Sequence, residues 1–201
     1  MGCSSANESE DKIVIFMIGK PGCGQKSQGA KVAEILGNCS HIHLEGLIRK
    51  EMLRKSSMKL DQINENKLVP SNDLVNELYK KIISKNTEYI LIDGFPKTVE
   101  NIDEWKKIIG KKCKVLALIH LNISNEIMYI REKEKLDEMG KNYIEKKYKR
   151  FMEKTLKVID NLKNNINYIE INGEQEFETI TQEIVNKLKN LIENKKYNEI
   201  F

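Results

Sequence analysis

The chain has 201 residues, of which 40% are hydrophobic and 32% are charged. These proportions are typical of a globular protein, they exclude a disordered or collagen-like chain, and the length suits one domain better than two. The 34 Lys and Arg residues exceed the 30 Asp and Glu residues by only 4, and this small excess gives no indication of a nucleic-acid partner.

The distribution of apolar and cysteine residues indicates a cytoplasmic protein. The longest uninterrupted apolar run, Ile13 to Ile18, is far shorter than the roughly 20 residues that span a bilayer. The N-terminus has no apolar segment typical of a secretory signal. The cysteines (Cys3, Cys23, Cys39 and Cys113) are far apart in the sequence, which argues against a disulfide framework and against a cysteine zinc site.

The N-terminal segment carries a pattern for lipid attachment. It reads Met1-Gly2-Cys3-Ser4-Ser5-Ala6, so removal of Met1 exposes Gly2 to myristoylation and places Cys3 for palmitoylation. Ala6 departs from the usual Ser or Thr of the myristoylation pattern. We predict a flexible, acylated tail over residues 1–11, anchored to the cytosolic face of a membrane. The alternative is a short terminal tail without a function.

Strand-like and helix-like segments alternate along the rest of the chain. Apolar β-branched runs predict strands at Ile13–Ile18, His41–Leu44, Tyr89–Ile92, Val115–Leu121 and Tyr168–Ile171. Helical spacing predicts helices at Ser27–Leu36, Gly46–Lys55, Asn72–Ser84, Val99–Ile109, Asn125–Leu136, Ile144–Leu162 and Phe177–Ile192. Alternation of this kind predicts an α/β domain with a parallel sheet that helices cover on both faces.

A glycine-rich segment follows the first predicted strand and precedes the first predicted helix. It reads Gly19-Lys20-Pro21-Gly22-Cys23-Gly24, and such a loop directs backbone N–H groups and a helix N-terminus at a phosphate. The spacing of Gly19 and Gly24 matches the nucleotide-binding pattern G-x-x-x-x-G-K-[ST], but Gln25 stands where the pattern has Lys. A nucleotide site and a strand-to-helix connection without a ligand both remain open at this point.

Three segments in order resemble the adenylate kinase family of nucleoside monophosphate kinases. The loop and its continuation, Gly19 to Gln28, resemble the family's G-x-P-G-x-G-K-G-T-Q; Leu68-Val69-Pro70 also agrees; and Leu91-Ile92-Asp93-Gly94-Phe95-Pro96-Lys97-Thr98 resembles L-I-D-G-[FY]-P-R-T. The resemblance implies a P-loop NTPase-type fold with three α/β/α layers and a parallel sheet of about five strands. It further implies an adenylate kinase-like domain over 12–201, with a monophosphate-binding insertion near 42–71 and a shortened lid near 132–147.

The resemblance also implies roles for individual residues on the ATP side. The predicted nucleotide-binding residues belong to the first loop and the turn after it: Gly19, Pro21, Gly22, Cys23, Gly24, Gln25, Ser27 and Gln28. The predicted catalytic residues are Asp93, Arg131, Lys135 and Lys26, where Lys26 replaces the missing loop lysine. Ser27 and Asp93 are predicted to hold the Mg²⁺ that accompanies ATP, through water. The predicted lid contains no Cys or His, so no zinc is expected there.

On the acceptor side, the resemblance assigns the monophosphate to Arg49, Gly94, Lys97, Asn101 and Lys147. Lys97, Lys135 and Lys147 stand where the family has arginines, so they keep the charge and lose the bidentate guanidinium. Asn101 replaces a Gln that reads adenine, and Leu44 replaces a Thr near the base. Gln25 on the ATP side removes a full positive charge, and because loss of one preorganised stabilising group typically costs about 2.7–4 kcal/mol, we predict attenuated catalysis.

Three functions follow as alternatives. The first is a monomeric, membrane-tethered kinase that transfers the γ-phosphoryl group of Mg-ATP to AMP. The second is a pseudoenzyme that keeps the fold and acts as a membrane-bound nucleotide sensor or binding partner. The third, which rests on Leu44 and Asn101, is a kinase for UMP or CMP.

The remaining aromatic and histidine residues are predicted to be structural. Trp105 and Phe95 are expected in the core, and His41, His43 and His120 are expected to pack or lie at the surface without an acid–base partner.

Overall fold

The protein has a five-stranded parallel sheet at its centre. The computed structural model describes the backbone of residues 12–55, 69–133 and 138–197, and the side chains of 12–50, 69–132 and 142–197. The strands are β1 (Lys12–Gly19), β2 (Cys39–His43), β3 (Tyr89–Asp93), β4 (Cys113–Asn122) and β5 (Tyr168–Asn172). They pair in the order β2-β3-β1-β4-β5, every pair parallel. The predicted α/β class and parallel sheet are therefore confirmed.

Helices connect the strands as the alternation predicts. They are α1 (Gln25–Leu36), α2 (Leu44–Lys55), α3 (Ser71–Ile83), α4 (Val99–Ile108), α5 (Asn125–Lys133), α6 (Glu138–Arg150), α7 (Leu156–Leu162) and α8 (Phe177–Glu193). A π-helical turn at Phe151–Thr155 joins α6 to α7, so the single helix predicted at Ile144–Leu162 consists of two. In this turn Phe151 and Thr155 are both buried, and the Thr155 hydroxyl donates to the Lys97 carbonyl at 3.1 Å.

The core consists of two layers, one on each face of the sheet. Because side chains alternate along a strand, Val14, Phe16 and Ile18 of β1 face one layer, whereas Ile13, Ile15 and Met17 face the other. The first layer contains buried residues of α3, α4 and α7, and the second contains those of α1 and α8. This arrangement confirms the predicted three-layer fold.

Aromatic residues close the first layer beneath the carboxyl edge of β3. Trp105 is 2% exposed and Phe95 is fully buried. The ring centroids of Phe16 and Trp105 lie 5.1 Å apart, and those of Phe95 and Trp105 lie 5.5 Å apart, distances that suit favourable edge and tilted contacts. The prediction that Phe95 and Trp105 belong to the core is confirmed.

The predicted subdivision of the chain falls partly outside the described residues. These do not include residues 1–11, with Gly2 and Cys3, residues 56–68 of the predicted insertion, or residues 134–137 of the predicted lid. The acylated tail, the insertion and the lid therefore stay predictions. In the described part of the chain, no helix has both the length and the apolar character needed to cross a membrane.

Candidate functional site

Most of the predicted site residues gather at the carboxyl edge of the sheet. β1 ends at Gly19, β2 at His43 and β3 at Asp93. In the parallel register, Asp93 pairs with Met17 of β1 on one side and with His43 of β2 on the other. Ligands of open parallel sheets bind beyond this edge, so the topology brings together three segments that are distant in sequence.

The glycine-rich segment forms a tight turn between β1 and α1. Gly22 and Gly24 have φ angles of 75° and 86°, which residues with a side chain rarely adopt, and Pro21 lies half-buried in the same turn. Within this described segment α1 begins at Gln25 without a side-chain cap and without an acidic residue in its first turn. Its first N–H groups therefore lack helical acceptors, which suits a bound phosphate.

The side chains at positions 25–27 show how the loop differs from the usual pattern. The Gln25 amide nitrogen lies 3.4 Å from the position that a Cβ on Gly94 would take, and its oxygen accepts from the Cys23 thiol at 3.8 Å. Lys26 and Ser27 are exposed. Lys26 donates no hydrogen bond to any residue that the structure describes, so its proposed replacement of the missing loop lysine stays a prediction.

Two other predicted nucleotide-binding residues, Cys23 and Gln28, are buried at the loop and the start of α1. Cys23 is buried, and this burial raises the pKa of its thiol to about 12, so the thiol stays protonated at physiological pH. Gln28 is 2% exposed; its amide donates to the Phe177 carbonyl at 3.0 Å and accepts from the Thr181 hydroxyl at 2.8 Å. Gln28 therefore connects α1 to α8, and its predicted contact with nucleotide stays a prediction.

Asp93 lies between two histidines. Its carboxylate is 1% exposed, with Oδ2 2.5 Å from His41 Nε2 and Oδ1 2.8 Å from His43 Nδ1. Burial acts to raise the pKa of this carboxyl group, but the hydrogen bonds and charges of both histidines outweigh that effect and lower the pKa below its usual value. The prediction that His41 and His43 have no acid–base partner is therefore wrong.

The sequence alone predicts the pairing of the two histidines in this cluster but not their contact with Asp93. Residues two apart on a strand share a face, so the β2 strand alone puts His41 and His43 on the same face. Their partner depends on the pairing of β2 with β3, which sets His43 opposite Asp93. That pairing joins residues about 50 positions apart, and no local pattern encodes it.

The predicted magnesium ligands are suitable in chemistry but not in position. Hydroxyl and carboxylate oxygens are the donors that Mg²⁺ prefers, and the Ser27 hydroxyl is on an exposed residue. Both oxygens of the buried Asp93, however, already contact a histidine. Each oxygen can still accept a second hydrogen bond, but the carboxylate is 1% exposed. Among the described residues, no cluster of three or more His, Cys, Asp or Glu side chains is arranged to hold a metal ion.

The turn after β3 lies directly beside the glycine-rich loop. The Gly94 N–H donates to the Met17 carbonyl at 2.8 Å, which holds this turn against the end of β1. A Cβ on Gly94 would lie 3.5 Å from Lys97 Cε and 3.8 Å from Leu44 Cβ. Gln25 approaches the same point from the other side. The structure therefore brings together the predicted donor-phosphate loop and the predicted monophosphate turn.

Asn101 stabilises this turn from the start of α4. Its amide oxygen accepts from the N–H groups of Lys97 and Thr98 at 3.1 and 3.3 Å, and its amide nitrogen donates to the Ser71 hydroxyl at 2.9 Å. The Thr98 hydroxyl accepts in return from the Asn101 N–H, which completes a capping box. Asn101 is 4% exposed, so its reading of a base stays a prediction.

A glutamate that the sequence analysis did not identify contacts the predicted acceptor residue Lys147. The Lys147 ammonium lies 3.0 and 3.1 Å from the two carboxylate oxygens of Glu45, and the Tyr143 hydroxyl donates to the same carboxylate at 3.0 Å. Glu45 lies in the first turn of α2, where acidic residues are common because they interact favourably with the helix dipole. Its position in the sequence therefore did not indicate a role in the site. Arg49 lies farther along α2 and is exposed.

Arg131 joins the loop to the other side of the sheet. Its Nη1 donates to the Gly173 carbonyl at 2.8 Å and to the Gly22 carbonyl at 3.3 Å. The guanidinium therefore lies between the glycine-rich turn and the connection from β5 to α8. Lys135, predicted one turn farther along the same helix, lies outside the described residues.

Comparison with known proteins gives one consistent family. The family model for adenylate kinase matches residues 17–167. An adenylate kinase of Campylobacter lari is 28% identical over 191 residues, which cover 90% of this chain and 99% of that protein. A UMP-CMP kinase of Rattus norvegicus is 28% identical over 162 residues, covering 74% of this chain and 82% of its own. UMP-CMP kinase 1 of Oryza sativa subsp. japonica is 25% identical over 175 residues, covering 85% and 72%.

Proposed function

The chain belongs to the adenylate kinase family, and from this premise we propose that it transfers the γ-phosphoryl group of Mg-ATP to AMP at a reduced rate. The observation that carries the proposal is the contact between its two phosphate-binding segments. The Gln25 amide nitrogen lies 3.4 Å from the Cβ position of Gly94. Phosphoryl transfer depends mainly on positioning and on charge stabilisation, and this juxtaposition supports the positioning.

On the donor side, backbone groups supply most of the phosphate binding. The glycine turn and the uncapped N-terminus of α1 direct N–H groups at the triphosphate, and Arg131 borders the same turn. Gln25 contributes an amide donor but no positive charge. The loss of one preorganised stabilising group costs about 2.7–4 kcal/mol, or 10²–10³ in rate, which supports reduced turnover. Rotation of Lys26 toward the loop is the proposed partial replacement.

On the acceptor side, Lys97, Lys147 and Arg49 are proposed to hold the monophosphate, with Gly94 allowing it to approach the backbone. An oxygen of the acceptor phosphate forms a bond to the γ-phosphorus while the bond from that phosphorus to the β,γ-bridging oxygen breaks. The products are ADP and a nucleoside diphosphate. Lysines supply charge without a bidentate geometry, so orientation of the acceptor is expected to be looser.

Ser27 and Asp93 are the residues that would hold the waters of the Mg²⁺ that enters with ATP. His41 and His43 each contact one carboxylate oxygen of Asp93, so a metal-bound water would share this buried carboxylate with the two imidazoles. The same observation favours the second candidate function, a catalytically inactive nucleotide sensor or binding partner, in which the histidines keep the carboxylate out of use.

The identity of the acceptor base is the remaining choice. The similar relatives include UMP-CMP kinases as well as an adenylate kinase, at the same 28% identity in two cases. AMP is proposed as the acceptor, and UMP and CMP are therefore tested beside it.

The proposal is tested by measuring ADP formation with the full-length chain, Mg-ATP, and AMP, UMP, CMP or GMP. We expect slow transfer to AMP that Asp93→Ala abolishes. Restoring the family loop with Gln25→Lys and Lys26→Gly together is expected to raise the rate roughly 10²–10³-fold, because a lysine at position 25 follows a side-chain path that already ends beside Gly94. Lys26→Gly alone is the matched control and is expected to lower the rate.

Two outcomes would contradict the kinase proposal. Transfer only in the restored loop would favour the inactive sensor, and transfer to UMP or CMP in preference to AMP would replace the acceptor.

Membrane tethering is a separate proposal that rests on Gly2 and Cys3. One acyl chain gives only marginal membrane binding and two give stable anchoring. Co-expression with an N-myristoyltransferase, followed by mass measurement and membrane fractionation of the wild type, Gly2→Ala and Cys3→Ser, tests it. Unmodified wild-type protein would end the proposal.

A further inference from the structure

We infer that the Glu45 carboxylate occupies the anion site of the acceptor cleft, so that a nucleoside monophosphate binds only by displacing it. This inference rests on the proposed function and concerns the same site. It adds an internal competitor that lowers the affinity of the chain for its acceptor.

The first support is the geometry of the Glu45 contacts. Both carboxylate oxygens lie within hydrogen-bond distance of the Lys147 ammonium, at 3.0 and 3.1 Å, and the Tyr143 hydroxyl donates to one of them at 3.0 Å. Glu45 is in α2 and its partners are in α6, about 100 residues later. A carboxylate that receives donors from a distant element in this way has the contacts expected of a bound phosphate oxygen.

The second support is the position of Glu45 relative to the other acceptor lysine. Glu45 directly follows Leu44, and Leu44 Cβ and Lys97 Cε both lie within 3.8 Å of the Cβ position of Gly94. Burial acts to raise the pKa of Glu45, but the charges of Lys147 and Lys97 and the hydrogen bonds of Lys147 and Tyr143 lower it below its usual value. The group is therefore ionised at neutral pH, and its negative charge lies against the Lys147 ammonium.

Electrostatic repulsion prevents the Glu45 carboxylate and the phosphate of the acceptor from occupying the same site together. A phosphate monoester carries a charge of about −1.5 to −2 at neutral pH, so it is repelled by a carboxylate that already contacts the Lys147 ammonium. The ion pair is also weak enough to be displaced, because the Glu45 and Lys147 side chains are 50% and 33% exposed and exposed pairs contribute little. The monophosphate thus binds with an affinity reduced by the fraction of molecules in which Glu45 occupies the site.

The test is the affinity of the full-length chain for AMP, UMP and CMP, measured by isothermal titration calorimetry. Glu45→Gln keeps the size of the side chain and removes its charge, and it is expected to lower the Kd about three- to fivefold for the acceptor that binds. Glu34→Gln is the matched control, because it makes the same charge change in an exposed pair with Lys31 at 3.1 Å on α1. The control is expected to change the Kd less than about twofold.

A double-mutant cycle with Lys147→Gln measures the coupling between Glu45 and Lys147 in acceptor binding. A general effect of removing one negative charge would not produce such coupling. In the natural chain Glu45 neutralises Lys147, so Lys147→Gln is expected to weaken binding only slightly. In the Glu45→Gln background the lysine faces the phosphate alone, and Lys147→Gln is expected to reverse the whole gain.

The outcomes separate this inference from the proposed function. Equal Kd values for the natural chain and Glu45→Gln, or strictly additive effects in the cycle, would overturn the inference and leave the kinase proposal standing. Tighter binding by Glu45→Gln without phosphoryl transfer in any variant would support the inference and refute the kinase. Absence of binding to both proteins would overturn the inference together with the proposed acceptor site.

Discussion

Asp93 is the residue at which the ends of β1 and β2 and the turn after β3 meet. A buried carboxylate is costly unless other groups satisfy it, and here two imidazoles do so from the neighbouring strand, at 2.5 and 2.8 Å. The apolar strand that ends in Asp93 therefore indicated a functional acid, but the structure adds that the acid is already engaged. Its contacts with the histidines and its proposed contact with the waters of Mg²⁺ involve the same two oxygens.

The histidine contacts of Asp93 predict that the free energy of unfolding depends on pH in a specific way. The histidine hydrogen bonds, acting against burial, lower the pKa of Asp93 in the folded state below the unfolded value of about 3.9. The unfolded chain therefore takes up this proton at a higher pH than the folded chain does. The stabilisation is fully present above the unfolded pKa and is lost as the pH falls through the folded pKa.

Urea unfolding of the wild type and Asp93→Asn checks this expectation. We expect the wild type to be more stable by about 1–3 kcal/mol near neutral pH, and the difference to shrink as the pH falls from about 5 toward 3. Asp160→Asn is the control, because Asp160 forms an exposed pair with Lys163 at 2.7 Å. A difference between wild type and Asp93→Asn that stays constant over this range would contradict the lowered pKa.

The turn between β3 and α4 is the element that positions Lys97, the lysine proposed to bind the acceptor. Asn101 receives the Lys97 N–H, and the Thr155 hydroxyl donates to the Lys97 carbonyl from the π-helical turn. Two elements thus hold the backbone of Lys97 while its side chain stays exposed. A rigid backbone with an accessible ammonium is what phosphate recognition requires.

Substitution of Asn101 tests whether it acts mainly as a helix cap. Asn101→Ala removes the acceptor of two N–H groups, so we expect a loss of about 0.5–2 kcal/mol in the free energy of unfolding. Asn101→Asp keeps that acceptor and loses only the donor to Ser71, so we expect a smaller loss. Thermal and urea unfolding measure both. Equal losses in the two variants would show that the cap is not what Asn101 contributes.

For the whole molecule, the parallel sheet places the carboxyl end of every strand at one edge, and the candidate site lies at this edge. The glycine turn, Asp93 and the Gly94 turn come from different strands, and Arg131 connects this group to the β5 side through Gly173. A ligand that spans these segments would stabilise the entire fold, because it would contact elements from both halves of the sheet.

Linkage therefore gives a test of nucleotide binding that does not depend on turnover. Mg-ATP at about 100 times its Kd is expected to raise the free energy of unfolding by about 2.7 kcal/mol. Mg²⁺ with inorganic phosphate at the same concentrations is the control and is expected to produce a much smaller shift. If Mg-ATP leaves the urea midpoint unchanged, the glycine turn does not bind nucleotide in this chain.

The sequence by itself determined the layered α/β fold, the loop after β1 and the turn after β3. Hydrophobic periodicity, glycine spacing and the Asp-Gly-Phe-Pro stretch are local, and each reports on the few residues around it. The tertiary structure alone decided the partners: His41 and His43 on Asp93, Gln28 on α8, and Glu45 on Lys147. These contacts join residues about 50 to 150 positions apart, and they form only because strand pairing and helix packing bring those side chains together.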